Sequence, residues 1–399
     1  MVQAMTDELP FLVVGGGIGG LAAAYALARK GFPVRVLEQA GAFREVGAGI
    51  QLGPNVFRAL DQLGLKDAVL VDAWRPGAQE MRCALSGKVI TRVPFEDEFF
   101  ERFKEPYGVT HRHDLHAVLL NACRSHPLVY LDVWEKVWDF VEDPGLVEVA
   151  LDNVDTGERT SIKGRALIGC DGVWSCIREK IIGDGKPRVS GHIAYRAVLK
   201  REDVPDDLWR PDVVLWAGPR THFVHYPLRR GELYNLVAVF HSDRYEEGWN
   251  ASADPSLLWE HFDGQRPEVL RLLERIETWR MWVLCDREPV KNWSKGRVTL
   301  LGDAAHPMLQ YLAQGANMAI EDAVRLAHEV AMRPGDLPAA FRAYQDARYL
   351  RTGRLQIMSR LYGEFYHARG VTAELRDQML GARTPQDAYD GVAWLYGGG

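Results

Sequence analysis

In Phe11-Leu12-Val13-Val14-Gly15-Gly16-Gly17-Ile18-Gly19-Gly20, four apolar residues run straight into a glycine cluster. A short apolar run bounded by glycine reads as a buried strand. A helical stretch over residues 21–30 ends at Gly31, and Val34-Arg35-Val36-Leu37 reads as a second strand closed by Glu38. Strand, glycine turn, helix, strand and acid in that order make a dinucleotide-binding unit. Gly15 permits the tight turn at the strand end, Gly17 lets backbone approach a pyrophosphate, and Gly20 lets helix and strand pack closely. The pyrophosphate then rests on free N–H groups at the helix start around Ile18, where the helix dipole favours negative charge. Glu38 is placed to accept hydrogen bonds from the adenosine ribose hydroxyls.

Far downstream, Arg297-Val298-Thr299-Leu300-Leu301 reads as strand again and turns at Gly302-Asp303. A helix predicted over residues 315–331 follows, with Ala316, Ala319, Ile320, Ala323, Leu326 and Ala327 on one apolar face. One fingerprint plus a remote acid turn fits a single long cofactor held at both ends. FAD has that length, whereas NAD alone needs no second site. Asp303, at a strand end, is placed to hydrogen-bond the ribityl chain. Backbone N–H groups at Gly315, Ala316 and Asn317 would face the flavin pyrimidine edge and stabilise negative charge on the reduced ring. With no second nucleotide fold in the sequence, a nicotinamide cofactor, NADH or NADPH, is expected to bind only transiently.

The 399 residues are 47% hydrophobic and 26% charged, which excludes collagenous and disordered classes. A net charge of −6 offers no basic field for a phosphate backbone, so nucleic acid is not an expected partner. Residues 1–10 carry Asp7 and Glu8 without a basic segment, and no run approaches about 18 apolar residues. A cytoplasmic chain without signal peptide or membrane span is therefore expected. Cys83, Cys123, Cys170, Cys176 and Cys285 are odd in number and scattered, and read as reduced thiols. His111-x-His113 and His222-x-x-His225 lack nearby third and fourth ligands, so no metal is expected.

The predicted fold class is α/β: a Rossmann-like FAD-binding domain, an inserted mainly antiparallel β-sheet substrate domain and a C-terminal helical region. The first part of the FAD-binding domain spans residues 10–187. Residues 188–290, rich in β-branched and aromatic runs between turns, form the inserted sheet. The FAD-binding domain resumes over 291–335, and 336–399 are helical. Arg348, Arg351, Arg354 and Arg360 on the last long helix are read as a solvated face rather than an anion-binding or partner surface.

Four motifs occur in the order found in single-component flavin-dependent aromatic hydroxylases, and the chain resembles that family over roughly residues 10–365. They are Gly15 to Gly20 with Glu38; Arg112 in His111-Arg112-His113-Asp114-Leu115; Asp171-Gly172 with Ser175 and Arg178; and Gly302-Asp303. Glu45-Val46-Gly47-Ala48-Gly49-Ile50 and residues 302–323 look most like members acting on 3-hydroxybenzoate, with salicylate and 6-hydroxynicotinate hydroxylases as nearer relatives than others. The resemblance implies FAD contacts from Gly49 and Arg112, and an Asp171 turn that approaches the pyrophosphate and supports reductant binding. It implies a small aromatic acid, O2 and NADH as reactants, a flavin C4a-hydroperoxide as oxygen donor, and a homodimer.

On the substrate side, strand alternation puts His222, Val224 and Tyr226 on one face of His222-Phe223-Val224-His225-Tyr226 and His225 on the other. The resemblance places His222 and Tyr226 in the aromatic cavity and Gln310 opposite them. A neutral histidine is suited to withdrawing a phenol proton. Gln310 either donates to the phenolate or accepts from the phenol, and Tyr226 positions the ring or a carboxylate. A flavin oxidase shares the first fingerprint but not the Asp171-Gly172 and Gly302-Asp303 pair. A non-catalytic flavin-binding module has no use for the His222, Tyr226 and Gln310 set.

Overall fold

The computed structural model describes residues 9–44, 47–242, 249–252 and 254–397, so Asp7, Glu8, Glu45, Val46 and the last two glycines lie outside the described residues. The first sheet has six strands. Phe11–Val14 pairs in parallel with Val34–Leu37 on one side and Ala166–Gly169 on the other, and Val129–Asp132 and Val298–Leu300 extend the sheet outward. Ser294–Lys295 closes one edge antiparallel. Strands covered on both faces must be apolar throughout, and every residue of Phe11–Val14 and Ala166–Gly169 is buried. Register places Val14 beside Gly169 and Gly169 beside Leu300. The turns at Gly15, Cys170 and Gly302 therefore emerge together at one end of the sheet.

The second sheet has eight strands and is not confined to residues 188–290. Ala78–Cys83 pairs in parallel with Val213–Gly218, and Val89–Pro94 completes the edge. Two strands thus come from the stretch read as the first part of the nucleotide domain. Their half-polar alternation hid them among the turns around them. One face of this sheet carries Ala194, Leu215, Val224, Tyr226, Val237 and Trp282. The other carries Tyr195, Phe223, Leu236 and Phe240, covered by Pro255–Phe262 and Pro267–Leu273.

Helix Gly315–Met332 packs against Ile18–Ala28 and against Leu337–Tyr366, which is followed by Val371–Gly381 and Pro385–Tyr396. Of the arginine row on Leu337–Tyr366, Arg354 is exposed as expected, but the other three are not solvated. Arg348 is buried and donates through Nε to Asp322 Oδ1 at 2.6 Å and through Nη1 to Glu321 at 2.6 Å. Arg351 also binds Glu321, Arg360 binds Asp286, and Arg354 stacks 4.1 Å from the Trp394 ring centre. Their acidic partners lie on other segments, which helix periodicity cannot reveal.

Asp322 is fully buried. It accepts from the Gly302 N–H at 3.2 Å and contacts His306 Nε2 at 2.6 Å, besides its bond to Arg348. Burial alone would raise its pKa, but His306 and Arg348 hold it at about 2. Its stabilisation is complete above the unfolded value near 4 and is lost as pH falls through about 2. Removing one partner of such a network leaves charge uncompensated. We expect Asp322→Ala to lower unfolding free energy by about 3–5 kcal/mol and Arg354→Ala by about 1 kcal/mol or less. Denaturant titration at pH 7 tests this, and equal losses would refute the ranking.

Candidate functional site

A cavity of about 760 Å³ opens where the two sheets face each other, within the usual size of small-molecule sites. Gly17, Ile18 and Gly19 line one end, with Gly172 from the next turn and Gly302 and Asp303 from the third. Gly15 has φ +102°, and a Cβ on it would collide with the Cys170 carbonyl oxygen. A Cβ on Gly20 would collide with the Gly15 carbonyl. Gly17 differs, because a Cβ there meets nothing within 4 Å. Its bare face is turned to open cavity, as a glycine approached by a ligand rather than by protein should be.

Gly315 and Ala316 line the cavity at the start of their helix, where N–H groups have no intrahelical partners. Asn317 lies wholly buried behind them; its Nδ2 donates to the Ala313 carbonyl at 3.2 Å, and its Oδ1 has no partner. Arg112 lines the wall, as does Gly49, whose N–H donates to Asn235 Oδ1 at 2.7 Å. Glu38 accepts from the Gly16 and Ala40 N–H groups at 2.7 and 2.8 Å, so a ribose hydroxyl would share a carboxylate already bracing the glycine loop.

The Asp171 side chain turns away from the cavity. It accepts from Ser175 Oγ at 2.6 Å and from the Ile177 N–H at 3.3 Å, at the start of helix Cys176–Ile181, and burial raises its pKa. Gly172, with φ +76°, is the part of this turn that meets the cavity. Arg178 is fully buried and donates to the Ala304 and Ala305 carbonyls at 3.0 and 2.6 Å, tying this turn to the Gly302-Asp303 turn. Together these groups suit a long, doubly charged dinucleotide: backbone N–H groups at one helix start, a carboxylate midway, and a second helix start at the far end.

At the opposite end, His222, Tyr226 and Gln310 all line the same cavity. His225 faces the other side of the sheet, held by Trp216 Nε1 at 3.0 Å and the Tyr234 hydroxyl at 2.7 Å. Arg196 also lines the cavity, donates through Nη2 to Gln310 Oε1, and lies 5.1 Å from the Trp282 ring centre. A guanidinium offers only donors, so the Gln310 atom facing it must be oxygen. The amide NH2 is then the end of Gln310 that Arg196 does not engage. Burial, with Arg112 nearby, lowers Arg196 to about 10.

His222 Nδ1 lies 2.7 Å from His367 Nε2, and His367 Nδ1 lies 2.8 Å from His241 Nε2. Tyr311, next to Gln310, bonds through its hydroxyl to His192 Nδ1 at 2.5 Å. Burial and then the neighbouring imidazoles hold His192 at about 4 and His222 at about 3. Neither sequence pair considered as metal ligands converges: His111 Nδ1 accepts from the His113 N–H, and His222 and His225 face apart. His192, His241 and His367, from three separate elements, do lie with ligand atoms within 4.8 Å of one another.

The family described as FAD binding domain matches residues 8–339. The 3-hydroxybenzoate 6-hydroxylase of Polaromonas naphthalenivorans (strain CJ2) is 44% identical over 98% of this chain and 96% of its own length. The chain belongs to the FAD-dependent aromatic hydroxylase family. The 6-hydroxynicotinate 3-monooxygenase of Pseudomonas fluorescens is a further relative, 36% identical over 89% of this chain and 91% of its own. Klebsiella pneumoniae HpxO complexed with FAD and uric acid shares the fold with TM-score 0.85 and 24% identity, covering 99% of this chain and 98% of that one. The chain is thus an FAD-binding flavoprotein monooxygenase. Among its described residues no helix is long and apolar enough to cross a membrane, and all five cysteines are unpaired.

Several lining residues of this family member were not singled out from sequence. Arg196 was signalled by a lone charge inside Ile193-Ala194-Tyr195-Arg196-Ala197-Val198. Tyr107, whose hydroxyl donates to Gln51 Oε1 at 2.5 Å, and Tyr396 of the last helix carried no such signal.

Because Gly17 faces ligand space and Gly20 faces backbone, their alanine variants should part company. We expect Gly17→Ala to keep the unfolding midpoint of the FAD-free protein while weakening FAD binding about tenfold or more, and Gly20→Ala to lose both. Fluorescence titration with FAD decides, and unimpaired binding by Gly17→Ala would remove the pyrophosphate from that loop. The buried histidines give a pH dependence. Unfolded imidazoles take up protons near pH 6.5 that the folded ones refuse, so their contribution is full above that value and falls as pH drops toward 4. The urea midpoint should decline between pH 7 and 5, less steeply in His192→Gln; equal slopes would show that the ring is not held neutral.

Proposed function

We propose that this protein hydroxylates 3-hydroxybenzoate para to its hydroxyl, giving 2,5-dihydroxybenzoate, with NADH as reductant and O2 as oxygen source. The observation that carries the reading is the pairing in one cavity of a neutral imidazole, His222, with an amide donor, Gln310, whose orientation Arg196 imposes. The names and 42–44% identities of three relatives, each a 3-hydroxybenzoate 6-hydroxylase, support the choice of substrate.

With Nδ1 engaged by His367, His222 presents Nε2 as the atom that takes the phenol proton. Losing that proton makes the ring electron-rich at the position para to the oxygen. Gln310 donates to the resulting phenolate. Tyr226, whose hydroxyl burial keeps protonated, orients the ring, and Arg196 supplies positive charge for a carboxylate. FAD, held by Gly15, Gly17, Ile18, Gly20, Glu38, Gly49, Arg112, the Asp171-Gly172 turn, Asp303 and the helix start at Gly315, Ala316 and Asn317, would supply reduction by NADH and activation of O2. The walls from the second sheet and the Pro385–Tyr396 helix keep water from the reacting oxygen. The same reading carries a cytoplasmic homodimer; the exposed Leu350, Ile357 and Leu361 stripe on one helix is in keeping with a covered face.

The purified holoprotein should oxidise NADH faster with 3-hydroxybenzoate, and chromatography should show 2,5-dihydroxybenzoate. Catechol from salicylate, with no product from 3-hydroxybenzoate, would keep the scaffold and overturn the substrate. His222→Ala should lower hydroxylation about 100-fold while NADH oxidation continues uncoupled; wild-type coupling in that variant would remove His222 from the reaction.

A further inference from the structure

The hydrogen bonds of His222 do not stop at the cavity wall. His222 lies at the wall, His367 is buried at the end of helix Leu337–Tyr366, and His241 is half-buried at the end of strand Leu233–His241. Two paired strands and the end of a helix far along the chain thus place three imidazoles in a line running outward from the cavity, joined at 2.7 and 2.8 Å. His367 spends both ring nitrogens on this line. A histidine serving only to pack would not need a histidine on each side.

We propose that His222, His367 and His241 form a relay that carries the phenolic proton of the substrate from the cavity to solvent. The inference rests on the hydroxybenzoate reading above and adds where the proton goes. In the receptive state each ring carries its hydrogen on the outward nitrogen. His222 Nε2 takes the phenol hydrogen as Nδ1–H passes its own to His367 Nε2. His367 Nδ1–H passes to His241 Nε2, and His241 releases its Nδ1 hydrogen to water. One O–H bond breaks, one hydrogen leaves the protein, and each ring ends neutral in its other tautomer. When the product re-forms its hydroxyl, a proton returning along the same bonds restores the first tautomers.

The surroundings suit passage rather than storage of charge. Burial and the other imidazoles hold His222 at about 3 and push His367 well below its ordinary range. His192 packs against His241 and, edge-on, against His367, with ring centres 4.1 and 4.9 Å away. Arg220 sits beside them, its N–H donating to the His367 carbonyl at 2.9 Å. Tyr311 and Tyr366 pack on His222 with hydroxyls that burial keeps protonated. A resting imidazolium is disfavoured at His222 and at His367, so a proton entering at His222 must move on.

The test follows proton release when the FAD-loaded enzyme binds 3-hydroxybenzoate, using a dye indicator in weak buffer and stopped flow, with benzoate as the ligand lacking a phenol. Wild type should release a proton with 3-hydroxybenzoate and none with benzoate. His367→Gln preserves a hydrogen-bonding side chain but cannot exchange hydrogen between two ring nitrogens. It should bind benzoate normally and slow the release about 100-fold, at the low end of what a positioned acid–base group contributes. His241→Ala should do likewise and recover when imidazole is added, to an extent that follows the pKa of the azole supplied. If His367→Gln does not fold, the His241→Ala rescue decides. Unchanged release rates in a folded variant, absence of azole rescue, or a metal bound stoichiometrically between His192, His241 and His367 would overturn the relay. So would a wild type that makes 2,5-dihydroxybenzoate without releasing a proton on binding. A wild type that makes no product from 3-hydroxybenzoate would instead overturn the hydroxybenzoate reading.

Discussion

The parallel register between Phe11–Val14, Ala166–Gly169 and Val298–Leu300 is the constraint on which the rest depends. It aligns the carboxyl ends of three strands that are far apart in sequence, so three turns open onto one crevice, where open α/β sheets bind their ligands. Asp322 reinforces the alignment by gripping the Gly302 N–H from the helix that follows. Arg178 does so from the other side through the Ala304 and Ala305 carbonyls. A slip of one residue would put Gly17, Gly172 and Asp303 out of line and leave buried backbone groups unpaired.

The second sheet contributes by alternation. Its two-residue period sends His222, Val224 and Tyr226 toward the crevice and sends Phe223 and His225 into a separate core. The same rule two strands away, on Arg188–Lys200, delivers Arg196 to the crevice and Tyr195 to the core. Two histidines three residues apart on one strand consequently have unrelated surroundings. His225 has both ring nitrogens satisfied by a tryptophan and a tyrosine, whereas His222 keeps one nitrogen for the cavity.

What could be read in the sequence was whatever local rules determine. The glycine loop, the two flanking strands and the shared face of His222 and Tyr226 follow from spacing, because turn geometry and strand period act over a few residues; that this face lines the cavity was implied only by the family resemblance. The strands at Ala78–Cys83 and Val89–Pro94 escaped because their alternation is half-polar and the strand that joins the pair to the sheet is more than a hundred residues away. The arginine row misled for the same reason: Arg348 and Arg360 look solvated until Asp322 and Asp286 are brought beside them. Asp171 was legible as a turn residue, but only coordinates show its carboxylate at a helix start and Gly172 at the cavity.

Tyr396 completes the cavity wall, and its carbonyl is held by Arg58 across 338 residues of chain. Arg351 secures the adjoining Trp394 and Leu395 carbonyls at 3.1 and 2.9 Å. The glycine loop is thus made by neighbours in sequence and can form early, while the chamber is closed by contacts that require nearly the whole polypeptide. Such long-range closure is entropically slow. Loop-closure entropy thus favours assembly from the nucleotide turn outward, with the enclosed chamber among the last parts to close.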